Sequence, residues 1–216
     1  MKKRVDGRTI KGLRIRQQVR ERILAAYVDL IRAGVPMPTA REIAERAGLS
    51  LRVIFKHFPD LRALRLASFN RMQERSSRFF SGTLPDRGDA AERLRQFVRY
   101  HARRLEHVTP IHRTAAMVES TDPDVARAMR NARDAALRDL ESALAGALPG
   151  FSPGEKRALM MELHMICSWS SWEFLRSHYR LSPARAQAVM SDAALAVLAA
   201  AERRRAAGQE RFPERV

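Results

Sequence analysis

The sequence lacks the features that mark several classes of protein. Its single cysteine, Cys167, cannot form an internal disulfide, which is typical of the reducing cytoplasm rather than of a secreted protein. The longest unbroken apolar run, AALAVLAAA at 193–201, is far shorter than the roughly 20 residues that span a bilayer. No basic segment followed by an apolar one marks a signal peptide. These absences predict a cytoplasmic protein that does not associate with membranes.

Motifs of enzymes and metal sites are missing as well. The sequence contains no glycine-rich phosphate loop, no G-x-S-x-G, no H-E-x-x-H and no paired cysteines. His107 and His112 are separated by Pro110, which is expected to interrupt a helix that would carry two metal ligands. We therefore expect no enzymatic activity and no catalytic residue, cofactor or metal ion.

Acidic residues are too few to balance the basic ones. Lys and Arg number 40 against 24 Asp and Glu, which gives a net charge of +16. The excess is concentrated, because residues 1–65 contain 16 basic and 6 acidic residues, whereas residues 66–216 contain 24 and 18. Concentrated positive charge attracts polyanions, nucleic acid before anionic membrane. The alternative is an arginine-rich protein whose charges are merely solvated.

Alternating β-branched residues are also absent, and almost the whole chain has the periodicity of amphipathic helices. The fold class is therefore predicted to be all-α. Three helices are expected within the first 60 residues, with the first ending at Gly34. Segments rich in proline and glycine then separate longer helices, at about 60–81, 89–107, 110–119, 123–148, 154–178 and 183–207.

The second and third helices have clear local boundaries. TARE places Glu42 three residues after Thr39, which is a capping box, and Gly48 is expected to end the second helix. Ser50 is suited to cap a third helix, which the sequence FPD at 58–60 ends. Two short helices joined by GLS outline a helix-turn-helix, although a plain three-helix core is the alternative.

The third helix divides into an apolar and a basic side. Its apolar residues are expected to pack inward; they are Leu51, Ile54, Phe55 and Phe58. Arg52 and Lys56 lie four positions apart on the side left free, where arginine can bind guanine and lysine can reach a base or a phosphate. The basic segment at residues 1–16 would reach the minor groove or follow the phosphates.

Two segments carry a recognisable pattern, ILAAYVDLIRAG and the later TAREIAERAGLSLRVIFKHFPDLRAL. Over roughly residues 17–66 this pattern resembles the signature of the TetR (tetracycline-repressor) family of bacterial regulators. The resemblance implies a homodimer that binds a near-palindromic operator in double-stranded DNA. It also implies a small-molecule effector in the second domain. Family members commonly carry Tyr at the position of Phe55 and Lys at that of Leu61, both typical phosphate contacts. We expect Arg62, Lys56, His57 and the basic arm to compensate.

The predicted domains are a basic arm at 1–16, a helix-turn-helix domain at 17–66, a helical ligand-binding and dimerisation domain at 67–207, and a tail at 208–216. The residues expected to contact DNA lie in the second to fourth helices and in the arm. They are Thr39, Ser50, Leu51, Arg52, Val53, Phe55, Lys56, His57 and Arg62, with Lys2, Lys3 and Arg4.

The segment 154–178 is apolar on two faces, which predicts burial on two sides. One side would meet a second subunit, together with the small-residue face of the last helix, in a two-fold four-helix interface. The residues expected in this dimer interface are Leu159, Leu163, Ile166, Ser170, Phe174, Val189, Met190, Ala193 and Val197. The alternative is a monomer with an unusually apolar core.

A second set of apolar and aromatic residues could enclose an apolar or aromatic effector, although plain core is the alternative. These residues are Phe97, His101, Leu105, Met117, Met165, Trp169 and Trp172. The sequence thus predicts a ligand-responsive transcriptional regulator, expected to be a repressor. Its alternative is a ligand-binding or interaction protein with a degenerate helix-turn-helix.

Overall fold

The computed structural model describes residues 7–80 and 87–208, and within these ranges the chain is helical, with no strand. The all-α prediction is thereby confirmed. The elements are α1 (Gly7–Arg32), α2 (Ala40–Ala47), α3 (Leu51–His57), α4 (Leu61–Phe80), α5 (Ala90–Ala116), α6 (Pro123–Leu144), α7 (Pro153–Ile166), α8 (Trp169–Glu173), a π-helical turn (Phe174–His178) and α9 (Pro183–Ala206).

The chain divides into two compact units, each made of two segments. The first unit is Met1–Glu74 with Pro110–Ala128, and the second is Arg75–Thr109 with Met129–Val216. Residues 110–128, which were expected in the second domain, thus belong with the helix-turn-helix. Their contacts explain this, because the Thr114 hydroxyl donates to the Pro36 carbonyl at 3.1 Å and His112 lies 5.2 Å from the Phe69 ring.

The predicted boundaries of α2 are present in atomic detail. The Glu42 amide donates to the Thr39 hydroxyl at 3.3 Å, and the Thr39 amide donates to the Glu42 carboxylate at 2.8 Å. These bonds lower the pKa of Glu42. Gly48 ends the helix at a φ of 60°, a left-handed conformation that glycine adopts without strain.

The ends of the short helix α3 are capped differently from those of α2. Ser50 occupies the N-cap position but its side chain makes no cap hydrogen bond, unlike the expectation from sequence. At the other end Phe58 is extended, and Asp60 begins α4 by accepting from the Ala63 amide at 2.7 Å. The turn FPD therefore ends one helix and starts the next.

Two predicted boundaries in the second half are wrong. α5 continues through Pro110, where a break was expected, because Val108 and Ile111 on either side of it are buried and their packing outweighs the helix-breaking tendency of proline. The expected helix 154–178 breaks after Ile166, where the Ser168 hydroxyl accepts from the Ser171 amide and starts α8. The local hydroxyl cap competes with continuation of the helix.

The second unit has one contiguous core. Its buried residues come from α5, the end of α6, α7, α8 and α9, with Leu94, Leu140, Leu159, Leu163 and Leu198 among them. α7 packs against α9, whose inward row consists of Ala186, Met190, Ala194, Leu198 and Ala201. α9 is apolar on its outer side too, and by length and composition alone it could cross a membrane.

Candidate functional site

α3 presents a continuous outer face of four side chains. Arg52 and Lys56 are exposed, as expected, whereas Ile54 and Phe58 are buried and attach the helix to the first unit. Leu51 and Phe55, expected to pack inward, are instead 40% and 48% exposed and lie beside the two basic residues. The correction has a geometric reason, because a seven-residue helix has few inward positions: Ile54 is its one buried residue, and the extended residue Phe58 that follows the helix supplies the second.

Arg20 of α1 holds the C-terminal end of α3. Its Nη1 donates to the His57 carbonyl at 3.1 Å, and its guanidinium carbon lies 4.1 Å from the centroid of the Phe58 ring. A cation at a helix C-terminus is favourable because the last carbonyls carry partial negative charge. Sequence reasoning did not single out Arg20, whose role depends on residues 37 and 38 positions away.

Positive charge converges at this end of α3. The pKa of His57 is lowered, chiefly by desolvation and then by the charges of Arg16, Arg20 and Lys56. His57 is half-buried and neutral at physiological pH, while Arg16 and Lys56 are exposed. Such a cluster of cations favours a bound anion such as a phosphate.

The other residues predicted to contact DNA differ in their exposure and in their hydrogen bonds. Ser50 is exposed and Val53 is half-buried, whereas the hydroxyl of Thr39 donates to the Glu42 carboxylate within the capping box at 2.7 Å. Lys2, Lys3 and Arg4 lie outside the described residues. Leu61 is half-buried at the start of α4, where a lysine would have offered a charge.

The guanidinium of Arg62 forms ion pairs with two carboxylates of its own chain. Its Nε and Nη2 donate to the two oxygens of Asp122 at 2.7 and 3.0 Å, and Nη2 also donates to Asp124 at 2.6 Å. The guanidinium lowers the pKa of Asp122 to about 2. Asp122 also accepts from the amides of Asp124 and Val125 at the start of α6. The Arg62 side chain is nevertheless about half exposed, so its contact with DNA stays a prediction. The acidic segment TDPD was the only signal of these ion pairs in the sequence.

The second unit buries three of the predicted effector residues beside one another. Phe97, His101 and Leu105 are inaccessible, and the His101 ring stacks on Phe97 with centroids 5.0 Å apart. His101 Nε2 lies 2.9 Å from the Cys167 carbonyl, which can only accept, so Nε2 carries the hydrogen. Among the described residues, Nδ1 has no hydrogen-bond partner. The result is a buried acceptor that lacks a donor.

A pH titration of stability tests the protonation state of His101. Burial, and then the charge of Arg104, lowers the pKa of His101 to about 3. The unfolded chain binds the proton at higher pH, so the free energy of unfolding should fall as the pH drops below about 6.5 and level off below the folded pKa, a loss on the order of a few kcal/mol. Chemical denaturation at several pH values measures this loss.

The control is His101→Gln, which keeps a donor for the Cys167 carbonyl but does not titrate. Its stability should depend less steeply on pH than that of the native protein between about pH 6.5 and 4. Equal pH dependence of the two proteins would mean that His101 does not carry the effect.

The two tryptophans are tied to α5 by polar contacts. Trp172 is buried and its Nε1 donates to Glu106 at 3.1 Å, while Arg176 donates to the same carboxylate at 3.0 and 2.8 Å. Trp169 Nε1 donates to the Thr109 hydroxyl at 3.2 Å. These bonds fix the start of the π-helical turn against α5.

The two methionines predicted to line the effector site are exposed. Met165 is on the outer side of α7, and Met117 belongs to the first unit and is exposed there. Neither lies in the core that holds His101. The prediction placed them with the core because their spacing alone could not assign a side of the helix.

The residues predicted for a dimer interface fall into two groups. Leu159, Leu163 and Met190 are buried in the core of their own chain, which leaves them no surface for a partner. Ile166 and Val197 are half-buried, whereas Ser170, Phe174, Val189 and Ala193 are exposed. On α7 the exposed apolar residues are Met161 and Met165, at 64% and 66%. The outward face of α7 is thus opposite to the one that was predicted.

No protein-family model matches the sequence, and no curated protein matches it. Solved structures do resemble it over most of its length. A TetR-family transcriptional regulator from Streptomyces coelicolor has a TM-score of 0.69 and 18% identity and covers 92% of both chains. A transcriptional regulator from Rhodococcus sp. Rha1 has a TM-score of 0.67 and 18% identity, over 84% of this chain and 96% of its own.

A third similar structure is a transcriptional regulator from Saccharomonospora viridis in complex with choline, with a TM-score of 0.69 and 19% identity, over 82% of this chain and 95% of its own. The chain therefore has the fold of TetR-family transcriptional regulators, and the resemblance found in the sequence is confirmed at the level of the fold.

Proposed function

We propose that this protein is a TetR-family transcriptional regulator that binds operator DNA through the outer face of α3. The observation that carries the proposal is the exposure of Arg52 and Lys56 on a short helix whose C-terminal end is fixed by Arg20. A helix of this size fits the major groove, where arginine and lysine bind guanine. The similar structures are regulators, which supports a protein without enzymatic activity that acts in the cytoplasm.

The alternative remains a ligand-binding or interaction protein with a degenerate helix-turn-helix, favoured by Phe55 and Leu61. A fluorescence-anisotropy titration separates the two. The labelled duplexes are the DNA upstream of the protein's own gene and a random sequence of equal length, each at two salt concentrations. Binding to upstream DNA at least 1,000-fold tighter, a ratio on the order of that of specific regulators, supports the regulator. Equal weak binding to both supports the alternative.

The basic arm supplies salt-dependent affinity in this proposal. From Gly7 onward the segment predicted as an arm belongs to α1. Deleting residues 2–11 removes five Lys or Arg residues, together with the first residues of this helix. Operator affinity should fall, and the dependence of log K on log salt should flatten by about 0.9 for each phosphate that the arm no longer neutralises. The measurement is the same titration at four or more salt concentrations. Unchanged affinity in a deletion variant that unfolds at the native temperature would contradict the role of the arm.

The functional form would be a homodimer that binds a near-palindromic operator. The exposed apolar surface of α7 and α9, with Met161, Met165, Val189 and Ala193, supports this assembly. Two copies would cover it in a four-helix interface. One side of α9 contributes a row of buried residues to the core of its own chain. This favours a second copy of the protein, and not a membrane, as what covers the outer side of α9.

We further propose that a small-molecule effector releases the protein from DNA, as expected of a repressor. The buried Nδ1 of His101, together with Phe97, supports an aromatic or apolar ligand that carries a hydrogen-bond donor. The choline complex of the similar regulator from Saccharomonospora viridis adds a quaternary ammonium to the candidates, which aromatic rings can bind. Native mass spectrometry of the purified protein would detect a bound molecule.

A further inference from the structure

Two exposed apolar side chains accompany the basic ones on α3. Leu51 and Phe55 are four positions apart, so they stack along the helix, and both keep close to half of their surface accessible. Arg52 directly follows Leu51, and Lys56 directly follows Phe55. The outer face is therefore a pair of apolar side chains beside a pair of cations.

The fold does not require the apolar pair. Ile54 and Phe58 already attach α3 to the first unit, and both are almost fully buried. Adjacent exposed apolar side chains form a patch, and such a patch is more informative about binding than a single exposed Leu or Phe. Phe55 also lacks a hydroxyl, so it cannot donate a hydrogen bond to a phosphate. Its surface is suited to an apolar group of the ligand.

The major groove offers one apolar group on its base edges, the C5-methyl of thymine. We propose that Leu51 and Phe55 contact thymine methyl groups, so that each operator half-site carries thymines next to the bases bound by Arg52 and Lys56. This inference rests on the proposed DNA-binding function and adds the chemistry that Leu51 and Phe55 recognise. The two residues are specificity determinants, whereas the arm supplies affinity without sequence preference.

The test removes the methyl group and nothing else. A duplex is first selected from a random pool by the full-length protein, and each thymine of its half-sites is then replaced by uracil. Removal of each methyl group that the protein touches should weaken binding about fourfold, as expected for burial of one carbon group. Thymines in the flanks, replaced in a second duplex, serve as the control and should have no effect.

The protein side of the test uses Leu51→Ala and Phe55→Ala. Both side chains are half-exposed, so each variant should keep the native thermal unfolding curve. Each single variant should lose sensitivity only to those thymine methyl groups that its missing side chain contacts. The double variant Leu51→Ala, Phe55→Ala should bind the thymine duplex about as weakly as the native protein binds the uracil duplex, and should no longer distinguish the two. Phe55→Tyr keeps the ring and should keep the preference for thymine.

The outcomes separate this inference from the function on which it rests. If no duplex is enriched from the pool, the proposed DNA-binding function fails. If a duplex is enriched and bound specifically, but uracil in the half-sites has no effect, the function stands and the methyl contacts are refuted. Methyl sensitivity that persists undiminished in the double alanine variant would also refute the assignment to Leu51 and Phe55.

Discussion

An Arg52→Ala, Lys56→Ala double variant is expected to lose about 2–6 kcal/mol of specific binding free energy at each operator half-site, because each well-placed base contact contributes about 1–3 kcal/mol. This corresponds to a loss of affinity between about 30-fold and more than 10⁴-fold. Both side chains are exposed, so the thermal unfolding curve should stay within a few degrees of the native one. The measurement is anisotropy with the selected operator and with a random duplex.

A charge-matched control is available within the first unit. Arg32 and Arg46 are exposed on α1 and α2, and their replacement by alanine removes the same two charges. This control should lower affinity for both duplexes by a similar small factor, because it changes only the general electrostatic attraction. If the control loses operator affinity as strongly as the Arg52 and Lys56 variant, α3 is not the helix that binds the bases.

Glutamate at both Met161 and Met165 is expected to abolish dimer formation. Each copy would bring two carboxylates into an apolar interface, and the desolvation of unpaired charges costs several kcal/mol per ion. The dissociation constant should rise by more than about 1,000-fold, and operator affinity should fall because each monomer occupies one half-site. Analytical ultracentrifugation over a range of concentrations measures the first effect.

Leu163→Ala provides the contrast on the same helix. Leu163 is fully buried in its own chain, so its truncation should lower the free energy of unfolding by about 2–5 kcal/mol. The folded fraction should still form dimers. The opposite pattern, in which Leu163→Ala dissociates the dimer and the glutamate variant does not, would restore the interface face predicted from the sequence.

Local signals made the helix-turn-helix predictable. Thr39, Glu42 and Gly48 act through neighbours a few positions away, so their roles can be read from spacing alone. The exit from α3 at Phe58 has the same local origin. All these features agree with the structure, since nothing distant in the chain competes with them.

The features that escaped prediction depend on distant partners or on a choice between equivalent faces. Arg20 and Arg62 act on groups 37 to 62 positions away, and no spacing rule reports such pairs. α7 is apolar on two faces, so composition could not decide whether Leu163 or Met165 points inward. Only packing in the core of the second unit, where α7 lies against α9, makes that choice.

The ion pair between Arg62 and the start of α6 limits how the chain can be recombined with its relatives. A chimera joined near residue 66 would transfer Arg62 and leave Asp122 and Asp124 behind, although these carboxylates belong to the same compact unit. The transferred guanidinium would lose its partners, and Asp122 would be left buried without its cation. The compact unit that carries the proposed DNA-binding helix is thus two separate stretches of sequence, and an exchange between proteins of this fold must move both together.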